Sequence, residues 1–223
     1  MINVFLRYLL YAVVVALGSV LLMLIATLLP AGLQFERKIV DLGVTTSEFS
    51  PVELLQNILL LICMIIFSWI GSRDRLRCPM ALGFCALFGV CLVRELDFFL
   101  DFYVADNLWQ VVCATLLAVT IVYLGRHRQR FVNGLRRSWP STGLAIIFSG
   151  FILLIPFAQL MGHDALWQQI MGDNYVRVVK VAAEEFIELG AYAIVTIGSF
   201  EFLYSWSRLP QTRKLHARPR QRR

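Results

Sequence analysis

The sequence predicts an all-α fold: a polytopic integral membrane protein built as a six-transmembrane-helix bundle, with both termini cytoplasmic. Three observations carry this. Of the 223 residues, 58% are hydrophobic and only 16% charged, and the mean hydropathy of +0.68 lies far to the apolar side of a globular domain. Six apolar segments are long enough for a hydrocarbon core of ~30 Å, which takes about 20 helical residues. Lys and Arg are sorted between alternate loops in the way the positive-inside rule demands.

The spans are expected at 4–29, 52–71, 79–99, 107–125, 141–161 and 176–205. The first is longer than the apolar part of a cleavable signal and is not followed by a small-x-small cleavage site, so it reads as a helix of the mature protein. "SPVE", Ser50 to Glu53, combines a serine N-cap, a proline at the first helical position and a capping-box glutamate, and starts the second span. Pro79 opens the third. Asn107 with Gln110 reads as the start of the fourth, and Asp173 as a cap for the sixth. Pro156 falls inside the fifth span and should kink it or end its regular part.

Residues 1–207 therefore form one transmembrane domain. The remainder, 208–223, holds Arg208, Arg213, Lys214, Arg218, Arg220, Arg222 and Arg223 with no acid, and is expected to be a disordered polybasic tail lying on anionic lipids of the inner leaflet. With Arg7, the loop holding Arg73, Arg75 and Arg77, and the loop holding Arg126, Arg128, Arg130, Arg136 and Arg137, this makes 16 basic residues on one side. The opposite side has four: Arg37, Lys38, Arg177 and Lys180. The +6 net charge is then an orientation device rather than a nucleic-acid footprint. A multi-pass protein of a bacterial cytoplasmic (inner) membrane is the expected setting.

The five cysteines lie in or at the edge of spans, so no disulfide framework is suggested. The three histidines, His127, His163 and His216, fall in loops or the tail, which disfavours a histidine zinc site. Ser149 lacks both the Gly-x-Ser-x-Gly frame and a histidine base.

The chemistry is expected in "KVAAEEFIELGAYA", residues 180–193. An ionised residue in mid-span costs about 2.5–3.5 kcal/mol, while a Leu or Ile returns about 0.3–0.6. Glu184, Glu185 and Glu188 thus need a partner, a proton or water. The helical wheel is expected to gather Arg177, Glu184, Glu185, Glu188, Tyr192, Thr196, Ser199 and Glu201 in an arc of roughly 140° pointing into the bundle. The expected partner is Arg94, the one basic residue deep in a span, which belongs to "VRELDFFLD". There Arg94, Asp97 and Asp101 follow i, i+3, i+7 spacing, with Glu95 offset.

An intramembrane polar pocket of Arg94, Glu95, Asp97, Glu184, Glu185 and Glu188 follows, open to the outside over an apolar floor. Asn57, Asp101, Gln110, Gln159, Tyr192 and Glu201 support it, and Gln56 comes to a similar height. One guanidinium cannot neutralise so many carboxylates, so either protons or a divalent cation should complete the charge. Proton- or cation-coupled transport is the first expectation, and six helices being few for a secondary transporter, a homodimer or a larger membrane complex goes with it. The alternatives are a non-catalytic binding, sensing or assembly subunit whose Arg–Glu network is structural, and a carboxylate-based enzyme acting on a lipid headgroup.

Overall fold

The computed structural model describes residues 2–28, 37–39, 44–46, 50–139 and 141–208. Apart from a small antiparallel pairing of Arg37–Ile39 with Val44–Thr46, it is helical. Among the described residues, six helices are long and apolar enough to cross a membrane. They are α1 (Ile2–Leu28), α2 (Pro51–Arg73), α3 (Cys78–Glu95), α5 (Leu108–Arg126), the composite Thr142–Met161, and α10 (Arg177–Ser207). Short helices α4 (Asp97–Tyr103), α6 (Arg128–Ser138) and α9 (Asp164–Met171) connect them.

Local chemistry sets the helix ends unevenly. Ser50 caps α2 as its sequence suggests, its Oγ accepting the Glu53 N–H at 3.1 Å. Ser141 does the same for α7 (Thr142–Ile152), accepting the Leu144 N–H at 3.4 Å. Asn107 is no side-chain cap; it takes a left-handed conformation (φ 60°) that Asn tolerates, and turns the chain into α5. Asp173 lies in a single 3-10 turn, and Val176 precedes α10. Pro156, which has no N–H to give the preceding turn, sits in a π-helical turn, Leu153–Ala158, before the helix resumes as α8 (Gln159–Met161).

The bundle is organised around α10, which packs on α7 and α2, while α2 packs on α3 and α3 on α5. Glycine allows the closest approach. A Cβ on Gly198 of α10 would lie 2.8 Å from the Gly143 carbonyl oxygen of α7, and one on Gly150 would lie 2.6 Å from Val195 Cγ2. Small residues at such crossings let backbones meet where apolar burial gives no drive between helices in lipid. Beside this seam an aromatic layer fills the centre. Phe67 lies 5.0 Å from Phe84, 5.5 Å from Phe88 and 5.5 Å from Phe202, the last pair stacked.

The periphery is the inverse of a soluble protein's. Along α5 only Cys113 is buried, while Val111, Val119 and Ile121 are exposed. Exposed apolar faces of this extent are consistent with a multi-pass membrane protein. None of the hydropathic window of α1 is buried, and α1 is held to α10 chiefly by polar contacts at its start.

The basic end carries two features that the loop assignments do not anticipate. The stretch 128–138 is an amphipathic helix, not a loop. Phe131, Gly134, Leu135 and Ser138, at i, i+3, i+4, i+7, turn inward, and Arg128, Arg130, Arg136 and Arg137 turn out. Asp74 closes the α2–α3 turn. Its Oδ1 accepts the Leu76 and Arg77 N–H groups at 3.0 and 3.3 Å, and its Oδ2 takes Arg77 Nη1 at 2.6 Å and Trp206 Nε1 at 3.2 Å. Arg77 Nε then donates to Ser138 Oγ at 3.0 Å, so the Asp74–Arg77 pair ties α2, α3, α6 and α10 together. Of the basic tail, 209–223 lies outside the described residues.

Candidate carboxylate–arginine site

The site forms where three helices converge at the end opposite the arginine-rich loops. α3 contributes Arg94 and Glu95 from its last turn, α10 contributes Glu185, Glu188 and Tyr192, and α2 contributes Gln56 from its second turn. Arg94 Nη2 donates to Glu95 Oε1 at 2.8 Å and also to Glu188 Oε1, joining α3 to α10. Tyr192 Oη donates to the same Glu95 oxygen at 2.7 Å. Gln56 Nε2 donates to the Glu185 backbone oxygen and to Glu185 Oε2, both at 3.0 Å.

Burial divides the site. The side chains of Glu95 and Glu188 are 5% and 3% exposed, whereas that of Arg94 is 38% exposed and reaches the surface. One carboxylate oxygen from each of Glu95, Glu185 and Glu188 lies within 4.8 Å of the others. The core of the site therefore holds three carboxyl groups against one guanidinium. Unless protons or a cation join them, that is a net charge of −2 in a largely dry space.

Below Glu188, the inward stripe of α10 continues through hydroxyl and thiol groups. Thr196 Oγ1 and Ser199 Oγ lie 3.4 and 3.5 Å from Cys63 Sγ of α2, while each hydroxyl donates to its own helix four residues back. Beyond Ser199 the stripe meets the aromatic layer of Phe67, Phe88 and Phe202.

Not every expected residue joins. Glu184 turns to Lys180 at 3.3 Å and packs against Gly162, away from Arg94. Helix α3 ends at Glu95, so Asp97 and Asp101 belong to the separate helix α4 and do not share a face with Arg94. The break sits at Leu96, and Asp97 takes the Phe98 N–H at 2.6 Å as the new helix begins. Arg94 is consequently in the last turn of its helix, at the end away from the arginine-rich loops, rather than deep within it. Gln110 and Gln159 are exposed, and Arg177 is exposed at the start of α10. Asn57 is half-buried, and its side-chain oxygen has no hydrogen-bond partner among the described residues.

Glu201 is the largest departure. Seventeen residues at ~100° each turn it about 100° from Glu184, on the side away from Glu185 and Thr196, so an arc of roughly 140° that holds the rest of the stripe cannot hold Glu201 as well. Instead it receives Arg7 Nε and Nη2 at 2.9 and 3.1 Å and Tyr11 Oη at 2.9 Å, with Arg7 stacked over Tyr204. Gln56 is the site residue that sequence reasoning places only at a similar height. A signal for it exists, since Glu53, Gln56, Leu60 and Cys63 repeat at i, i+3, i+7, i+10 along the buried face of α2.

Compared with family models, with curated proteins and with solved structures, the chain matches none.

Proposed function

We propose that this is a multi-pass membrane protein that couples to protons or cations through the Arg94, Glu95, Glu185 and Glu188 site, with transport as the activity. The observation that carries the reading is the charge excess: three converging carboxylates share one partly exposed guanidinium, and ionisable groups held in spans are costly unless they serve an ion or proton path. The arginine-rich loops at the opposite end orient this site outward by the positive-inside rule, with both termini inside. The mouth is then loaded from outside, the Tyr192–Thr196–Ser199 stripe is the first part of a path, and the Phe67–Phe202 layer is its closed inner gate.

That same aromatic layer favours the second reading, a binding or sensing subunit that never opens inward. Proteoliposome flux separates the two. Protein reconstituted with an internal pH dye should dissipate an imposed proton or cation gradient faster than empty vesicles, and Glu188→Gln should abolish the excess. Absence of flux under every imposed gradient, from protein shown to be folded, would remove transport and leave binding.

A further inference from the structure

We infer that the site holds one hard divalent cation, calcium in preference to magnesium, ligated by Glu95, Glu185, Glu188 and the side-chain carbonyl of Gln56; this rests on the reading of the same site as ion-coupled and names its ion. The three carboxylates alone would be only an acidic cluster. The independent observation is Gln56. Its side chain is fully buried, and its amide abuts the cluster through the 3.0 Å bond from Nε2 to Glu185 Oε2. Yet Gln56 Oε1 is buried with no hydrogen-bond partner among the described residues. A buried amide oxygen without a donor is costly to the fold, so such an atom calls for an occupant that is electron-poor. A cation is one.

Charge and geometry agree on its class. Arg94 neutralises one of three carboxylates, and the remaining charge of −2 is cancelled by a single divalent ion. Oxygens of the three acids lying within 4.8 Å of one another can share an ion, since calcium takes oxygen ligands at about 2.3–2.6 Å. Every donor in the set is oxygen, which suits hard cations and not zinc or copper. Three carboxylates with an amide carbonyl resemble the flexible all-protein cages of calcium more than the largely hydrated, strictly octahedral sites of magnesium. Arg94 holds Glu95 and Glu188 by Oε1 and is a positioning residue, not a ligand.

The experiment is isothermal titration of the purified full-length protein with calcium and, separately, magnesium, alongside its thermal midpoint in each. One calcium per chain should bind with an affinity on the order of 10⁻⁵–10⁻³ M and raise the midpoint, with magnesium weaker. Glu185→Gln and Gln56→Leu should each weaken calcium by about tenfold or more, while Glu184→Gln, outside the cluster, should not. Gln56→Leu keeps all three acids, so its effect reads the Gln56 amide, its carbonyl and its hold on Glu185 together, rather than the charge. Should the variants not fold, the wild-type titration still decides. No calcium response up to about 10 mM, or a response retained in both site variants, overturns the inference. Flux without calcium binding would sink the calcium site and leave proton coupling standing; calcium binding without flux would sink transport and leave the site.

Discussion

Gly143 of α7 and Gly198 of α10 face each other so closely that a Cβ on Gly198 would stand 2.8 Å from the Gly143 carbonyl oxygen. The neighbour is backbone and cannot swing away. Gly198→Ala is therefore expected to destabilise the bundle by about 1–3 kcal/mol through overpacking. Gly190, eight residues earlier on the same helix, has nothing within 4 Å of its built Cβ. Gly190→Ala should be neutral, or stabilising by up to about 1 kcal/mol. Denaturant melts of the two variants check the pair, and equal effects would show that α10 does not cross α7 at this seam.

Arg94 should be worth more to the fold than its exposure implies, because its partners are the buried ones. Removing it by Arg94→Gln leaves Glu95 and Glu188 without their guanidinium. Breaking a fully buried pair costs about 3–5 kcal/mol, and since the Arg94 side chain keeps 38% exposure the expected loss is nearer about 2 kcal/mol. Combining Arg94→Gln with Glu188→Gln should recover part of it. A double-mutant cycle measures the coupling, and simple additivity would mean that the contact is not made.

Acid stability should report the Asp74 latch. Partial burial would raise its carboxyl, but the Arg77 side chain, the backbone N–H groups and Trp206 outweigh this and hold it below the ordinary value of 3.8. A folded value below the unfolded one means that the contribution is fully present above the unfolded value and is lost as pH falls through the folded one. Asp74→Asn should accordingly be less stable than wild type by a constant margin above about pH 5, and the margin should shrink toward about pH 3. A margin that widens in acid would contradict the assignment.

Glu201 anchors α1, which buries none of its apolar window. With Glu201→Gln, the twin contacts of Arg7 lose their charge assistance, and hydrogen exchange over residues 5–15 should quicken while exchange in α2, α3 and α7 stays as it was. Uniform quickening would mean that Glu201 supports the bundle as a whole.

Much of the fold was legible in order along the chain. Apolar length, the Ser50–Pro51 start and the uninterrupted apolar runs on either side of the basic loops are local properties, and each long helix begins and ends within a few residues of its apolar segment. The helix α6 was also legible, in the inward spacing of Phe131, Gly134, Leu135 and Ser138 among arginines, but a dense basic run reads first as a loop. The site was legible in part. Pairing an arginine expected within a span with the α10 glutamates follows from cost alone, and Arg94 does meet Glu188.

The sequence by itself determined six apolar helices of spanning length, the segregation of basic residues to alternate loops, and the need for a partner to the α10 glutamates, because length, charge and transfer cost are carried by each segment alone. The tertiary structure decided which glutamates answer Arg94, that Gln56 rather than Asn57 joins them, and that Glu201 turns to Arg7. Those outcomes depend on the rotational phase of each helix against its neighbours. Phase is set by where Gly143, Gly150 and Gly198 let α7 and α10 touch, and no single segment contains it.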